Sequence, residues 1–130
     1  MLFEQGIHKL ATYILTRTTF WDDVPEELHK YLPCILYMGF LGIKYDHTFT
    51  ELPSYLSMWR EEDRLSVYLT YKCSDGTIRH SNFSMYVDLL RNNQYKIWVY
   101  DIRTCNRKSF RAQRDPALKQ LCKQWLHTSL

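Results

Sequence analysis

A chain of 130 residues, 45% apolar and 24% charged, suits one domain with an ordinary core and is too apolar for a disordered segment. The net charge of +3 is modest but uneven: residues 103–124 carry seven Lys or Arg against one acid, Asp115, and the remainder is mildly acidic. Four cysteines without a C-x-x-C pair argue against a secreted disulfide scaffold, and the start M-L-F-E-Q-G has no basic-then-apolar leader.

The longest apolar stretch, 31–43, contains Pro33 and two glycines and falls short of the about 20 residues a membrane span needs. These features lead to an expectation of an intracellular protein, in cytoplasm or nucleus, with free thiols. Aromatics make up 15%, ten of them tyrosines, whose apolar ring and wettable hydroxyl suit a core edge or an interface.

Residues 2–15 place Phe3, Ile7, Leu10 and Ile14 at helical spacing, with Leu2, Ala11 and Leu15 widening the stripe. Gly6 falls in the first turn, where its poor helix propensity matters least. The run D-D-V-P-E-E-L at 22–28 is a second helix start, with Asp22 or Asp23 as cap, Pro25 in the first turn and Glu26 and Glu27 at the positive end of the dipole. Pro33 should end that helix near Tyr31 or Leu32, and a buried helix should follow through Cys34–Phe40, with Gly39 and Gly42 as its terminating residues.

Residues 44–62 read as the least regular part. Leu52, Tyr55, Leu56 and Trp59 fit either a short helix after Pro53 or a loop over the core, and Arg60–Asp63 fit a charged break.

The stretch 63–103 reads as an antiparallel meander. Leu65, Val67, Leu69 and Tyr71 share one face of a strand; Ser66, Tyr68, Thr70 and Lys72 share the other. Ser74-Asp75-Gly76-Thr77 is a hairpin signal, because Asp-Gly readily adopts the positive φ of tight turns. Residues 85–90 fit a strand or a helix, and Asn92-Asn93 marks another turn. Tyr95–Ile102 alternates Tyr95, Ile97 and Val99 with Trp98, Tyr100 and Ile102. Residues 103–114 read as a basic loop. Asp115-Pro116 then opens a last helix with Leu118, Leu121, Cys122, Trp125 and Leu126 on one stripe and Lys119 and Lys123 facing away.

Chemistry-bearing patterns are sparse. There is no G-x-S-x-G, no glycine-rich phosphate loop and no H-E-x-x-H. Asp88 and Asp101 are the candidate carboxylate pair, though solvated strand edges account for them better. Cys73 and His80 flank the Asp-Gly hairpin, where any two residue types meet by geometry. Zinc would need Cys73, His80 and Cys105 to converge with Cys34 or Cys122, and closely paired ligands are missing; no metal or other cofactor is expected.

Arg103, Arg107, Lys108, Arg111 and Arg114 around Phe110 are candidate phosphate contacts, while the aromatic-rich strand 95–102 lacks the RNA-recognition pattern. Tyr68, Trp98, Tyr100 and Ile102 form a candidate partner-binding surface, exposed unless the chain's own helices cover it.

The segments E-L-H-K-Y-L-P-C-I-L-Y-M-G-F-L-G-I, L-P-S-Y-L-S-M-W, R-L-S-V-Y-L-T-Y-K-C-S-D-G-T-I-R and D-P-A-L-K-Q-L-C-K-Q-W-L, in that order, resemble the FP domain of a proteasome-inhibitor protein and an F-box protein. The best local match runs from Trp59 to Ile78. The resemblance implies an α+β module used for homo- or heterodimerisation and adaptor contacts, and it carries no functional residue across.

The expectation is therefore a single α+β domain over 1–130: an antiparallel sheet of three or four strands with N-terminal helices and a C-terminal helix packed on it. Its expected function is non-enzymatic protein–protein interaction, as an adaptor or by self-association within a larger complex. The alternative is a nucleic-acid-binding module using 103–114.

Overall fold

The apolar stripe at the start of the chain forms α1, Leu2–Arg17, and buries Ile7, Leu10, Ala11 and Ile14. These details come from a computed structural model that describes residues 1–49, 54–112 and 114–128. Gly6 does more than tolerate a first turn. A Cβ there would stand 2.5 Å from the Ala117 carbonyl oxygen, so its bareness lets α1 approach the C-terminal helix α4, Pro116–His127.

The two prolines divide the next segment as expected, into α2, Glu26–His29, and α3, Leu32–Phe40, with Pro33 in the first turn of α3. The expected Asp22 or Asp23 cap is not made: Pro25 occupies the N-cap of α2, and no side chain caps it. Gly42 terminates α3. At φ +75° it donates its N–H to Gly39 O at 3.0 Å, while Ile43 N–H reaches Met38 O at 2.9 Å. This paired arrangement satisfies the last helical carbonyls and favours glycine at the left-handed position. Gly39 is not a cap; a Cβ there would lie 2.6 Å from Leu65 Cδ2, so it is the contact point of α3 on the sheet.

Among the described residues the sheet has six strands, not three or four, in the order β1-β2-β3-β4-β5-β6 with every neighbour antiparallel. The additional strands lie where the sequence reads as irregular. β1 is Tyr45–Phe49 and β2 is Ser54–Glu61, so neither a helix nor a loop occupies 54–61; Leu52 and Pro53 lie outside the described residues. Helical spacing of Tyr55, Leu56 and Trp59 lost to strand alternation, which buries Leu56 and Met58 against α3 and the sheet core.

The supposed charged break is a tight turn at Glu62-Asp63, with Glu62 at φ +51°, leading into β3, Arg64–Lys72. β4 runs from Ile78 to Leu89, which settles the helix-or-strand ambiguity at 85–90. The Asp-Gly hairpin joins β3 to β4, with Gly76 at φ +88° and Cys73 N–H donating to Thr77 O at 2.8 Å. A single 3-10 turn at Arg91–Asn93, with Asn92 and Asn93 both at positive φ, leads into β5, Tyr95–Asp101. The basic stretch is not a loop: its centre is β6, Asn106–Arg111.

The helices lie on one face of the sheet. Leu56 and Met58 of β2, Leu65, Val67, Leu69 and Tyr71 of β3, Phe83, Met85 and Val87 of β4, Ile97 and Val99 of β5 and Phe110 of β6 form that buried face. Ring contacts tie the helical layer to it: Trp21 meets Phe83 edge-on, and Tyr13 of α1 stacks on Phe110 at 5.6 Å. Asp115 caps α4 as expected, accepting from Ala117 N at 3.0 Å and Leu118 N at 3.3 Å, and also receives Lys9 Nζ from α1 at 2.9 Å. Leu118, Leu121, Cys122 and Trp125 are buried; Leu126, placed on the same stripe by spacing, is 40% exposed. Among the described residues no helix is long and apolar enough to cross a membrane.

Candidate functional site

The side chains of the opposite sheet face alternate with the helix-covered ones, and apart from the buried Ser84 they are partly or fully exposed. Register sets their neighbours. Tyr86 of β4 stands opposite Trp98 of β5, which stands opposite Ser109 of β6; in the adjacent row, Trp59, Ser66, Ser84, Tyr100 and Arg107 follow one another across five strands.

Tyr86 and Trp98 stack with centroids 6.2 Å apart and planes 17° from parallel. Cations close both ends of the stack. The Arg64 guanidinium lies 5.7 Å from the Tyr86 ring centre, and Arg107 and Lys96 each lie 5.2 Å from that of Trp98. Arg64, Tyr86, Trp98, Tyr100 and Arg107 line a concavity of about 290 Å³.

On the β3–β6 part of this face Arg64, Lys96, Arg107 and Arg111 oppose one acid, Asp88, with Glu61 facing Arg64 at the end of β2. The positive potential this produces attracts anions. Two polar atoms here have no partner among the described residues, although both are buried: the Trp98 indole Nε1 and the Ser84 Oγ. The Tyr100 hydroxyl is held above its ordinary value, chiefly by its hydrogen bond with Cys105 and then by the charge of that thiol group. Such a surface can take flat or aliphatic groups against its ring edges and acidic groups against its arginines.

The fold separates the expected partner-binding residues. Trp98 and Tyr100 belong to the concavity. Tyr68 is on the same face, but four residues along its strand from Arg64, where it stacks on His80 and shares a 2.7 Å hydrogen bond with His80 Nδ1. Ile102 lies beyond the end of β5 in the turn, 42% exposed, with its N–H donated to Asn82 O.

The basic set divides too. Arg107 and Arg111 lie on the aromatic face, Lys108 on the helix side of β6 and Arg103 near Asp23 at 3.9 Å, while Arg114 is exposed just before α4. Phe110 is buried, so it offers no surface for stacking bases.

Tyr86, Arg64, Lys96 and Trp59 were not singled out as site residues. Arg64 carried a signal in the period-two alternation of β3, and Tyr86 did so only once 85–90 is known to be a strand. Trp59 required the strand at 54–61.

The remaining candidates do not assemble. Asp88 is on the open face and Asp101 on the buried one, where its Oδ1 accepts the N–H groups of Arg103 and Thr104 and shapes the turn after β5. His80 pairs in register with Thr70, away from Cys73. Cys34, Cys73, Cys105 and Cys122 are all free thiols, and among the described residues no three His, Cys, Asp or Glu side chains group together. No family model, curated protein or solved structure matches this chain.

Proposed function

We propose that this chain is a non-enzymatic binding module that docks a partner protein, with acidic groups at its contact surface, on the open sheet face around Trp98. The observation that carries the reading is the one-sided packing of the helices: it leaves the Tyr86–Trp98–Tyr100 cluster uncovered between Arg64, Lys96 and Arg107. The few residues that dominate binding energy in protein interfaces are enriched in tryptophan, tyrosine and arginine and cluster at the centre within a polar rim. The excess of cations selects an acidic partner over a second copy of the same basic face. The FP-like order of segments points to the same class of function, an adaptor or dimerisation module.

Binding of a purified acidic partner should weaken at least about tenfold on Trp98→Ala, as expected for an interface anchor. Circular dichroism should be unchanged, because Trp98 lies outside the buried face. Size-exclusion chromatography with light scattering tests the self-association form. An acidic partner that binds Trp98→Ala as tightly as the parent defeats the proposal.

A second reading is favoured by one observation: Arg107 and Arg111 share a sheet face with Trp98 and Tyr100. Single-stranded nucleic acid binds surfaces that combine aromatic rings with cations. Titrations with labelled single- and double-stranded RNA and DNA at low and physiological salt discriminate it, since phosphate contacts strengthen as salt falls. No binding at low salt removes this reading.

A further inference from the structure

β6 closes one side of the sheet, and among the described residues no strand pairs with its outer edge. The phase of its backbone follows from one bond. Ala112 N–H donates to Tyr95 O at 3.2 Å, so the alternate residues Phe110, Lys108 and Asn106 also turn their amides towards β5. The amides and carbonyls of Arg107, Ser109 and Arg111 therefore face outward.

An outward edge of this kind is a template for another strand. Between Asn106 and Arg111 it carries Arg107, Lys108 and Arg111 and no acid. A second copy of the chain joined edge to edge would set these cations against one another, which is destabilising. An acidic strand would be complementary. There is also room on both sides of the edge. On the helix side, a groove of about 660 Å³ lies between the end of α1 and the start of β6, where Arg17, Arg107 and Lys108 outnumber one acid, Asp22, beside the apolar Leu15 and Phe20. On the other side lies the concavity beside Trp98 and Tyr100, and Arg107 lines both.

We propose that β6 accepts an extended acidic segment of a partner protein as a seventh strand. The inference rests on the reading of the open face as a protein-docking surface and adds the mode of attachment. Backbone bonds to Arg107, Ser109 and Arg111 hold the segment. Its alternate side chains fall towards the Trp98 concavity and the α1 groove, and its carboxylates meet Arg107, Lys108 and Arg111. Main-chain pairing supplies affinity in this mode, and flanking pockets supply selectivity.

The test uses the full chain and a synthetic peptide alternating glutamate and valine. Binding should slow exchange of the Arg107, Ser109 and Arg111 amides by about tenfold, the effect of one net hydrogen bond, and leave those of Lys108 and Phe110 as they were. Ser109→Pro removes an outward amide without touching the β5 ladder, and proline is tolerated at such an edge position. It should weaken the peptide at least about tenfold, while Ser109→Ala binds normally.

Should Ser109→Pro unfold the sheet, a peptide N-methylated at alternate residues carries the same test and should fail to bind. The proposal is overturned if neither change affects binding, if the peptide gives no protection, or if only a single-stranded oligonucleotide binds this surface. A partner that Trp98→Ala releases and Ser109→Pro does not would sink the edge and leave the open face standing; one indifferent to both would sink the face as well.

Discussion

Arg60 lies over the ring of Trp125, its guanidinium carbon 3.8 Å from the ring centre, and its Nη2 donates to the Trp125 carbonyl at 2.8 Å. The other fork, Nη1, donates to Thr128 Oγ1 at 2.7 Å, and that hydroxyl reaches back to Phe40 O at 2.9 Å. One buried cation thus ties β2, the end of α4 and the end of α3 together. Arg60→Ala should lower unfolding free energy by about 2–3 kcal/mol, from the lost ring contact and the orphaned carbonyl. Arg60→Lys should recover only part, because an ammonium cannot make both bonds and stack. Urea unfolding measures both, and a loss under about 1 kcal/mol for the alanine variant refutes the tie.

Gly6 and Gly39 should respond differently to the same substitution. At Gly6 a methyl meets a backbone oxygen, which cannot move without shifting α4; at Gly39 it meets the far end of the Leu65 side chain, which can rotate. Alanine gains about 1 kcal/mol of helix propensity in the interior of α3 at Gly39 and less near the start of α1 at Gly6. Gly6→Ala should still be net destabilising by about 1–2 kcal/mol, as overpacking costs about 1–3. Gly39→Ala should lie closer to neutral. Thermal melts decide the order, and equal effects would contradict it.

Asp115 links the fold to pH. The hydrogen bond from Lys9 Nζ, followed by those from the Leu118 and Ala117 amides, holds its carboxyl below the usual carboxylate range. A carboxylate depressed in the folded state contributes stability above its unfolded pKa of about 3.9 and loses it as pH falls through the folded value. Acid titration should therefore show parent and Asp115→Ala converging below about pH 4. At neutral pH the variant should be less stable by about 1 kcal/mol, the usual worth of an N-cap. A difference that persists at low pH would show that the ionised carboxylate is not the cause.

Cys122 should be inert while folded. Burial pushes its thiol up to about 12, so almost no thiolate exists at neutral pH, whereas Cys34 and Cys105 are exposed. Iodoacetamide should label Cys34 and Cys105 in the native protein and Cys122 only in denaturant. Early labelling of Cys122 in a mass-resolved time course would mean that α4 opens readily.

Ser84 tests whether the open face is built for packing or for a partner. Its hydroxyl is buried in the open-face row between Ser66 and Tyr100 without a partner among the described residues. Ser84→Ala removes an unsatisfied group and should stabilise the protein by about 1 kcal/mol. If a docked partner uses that hydroxyl, the same variant should bind more weakly. Stabilisation with unchanged affinity would assign Ser84 to packing alone.

Local rules made several elements legible: the alternation of β3 and β5, the Asp-Gly and Asn-Asn turns, the proline-split helices and the Asp115 cap. Each depends on interactions within a few residues, which the chain records directly. Where local signals were weak or mixed, at 54–61, 85–90 and 106–111, strand state comes from pairing partners elsewhere in the chain. β2 is held against β3, β4 between β3 and β5, and β6 on β5.

The residue types of the open face were determined by sequence alone, since period two already separates Trp98 and Tyr100 from Ile97 and Val99. Which face the helices would cover was decided by tertiary packing. The bare backbones of Gly6 and Gly39 and the rings of Tyr13 and Trp21 all meet their partners on the buried side. That choice leaves Trp98 outside the helical cover and partly exposed. Register then carries Arg107 and Arg111, which in sequence belong to a basic run, onto the same face, because neighbouring strands place residues side by side whatever their distance along the chain.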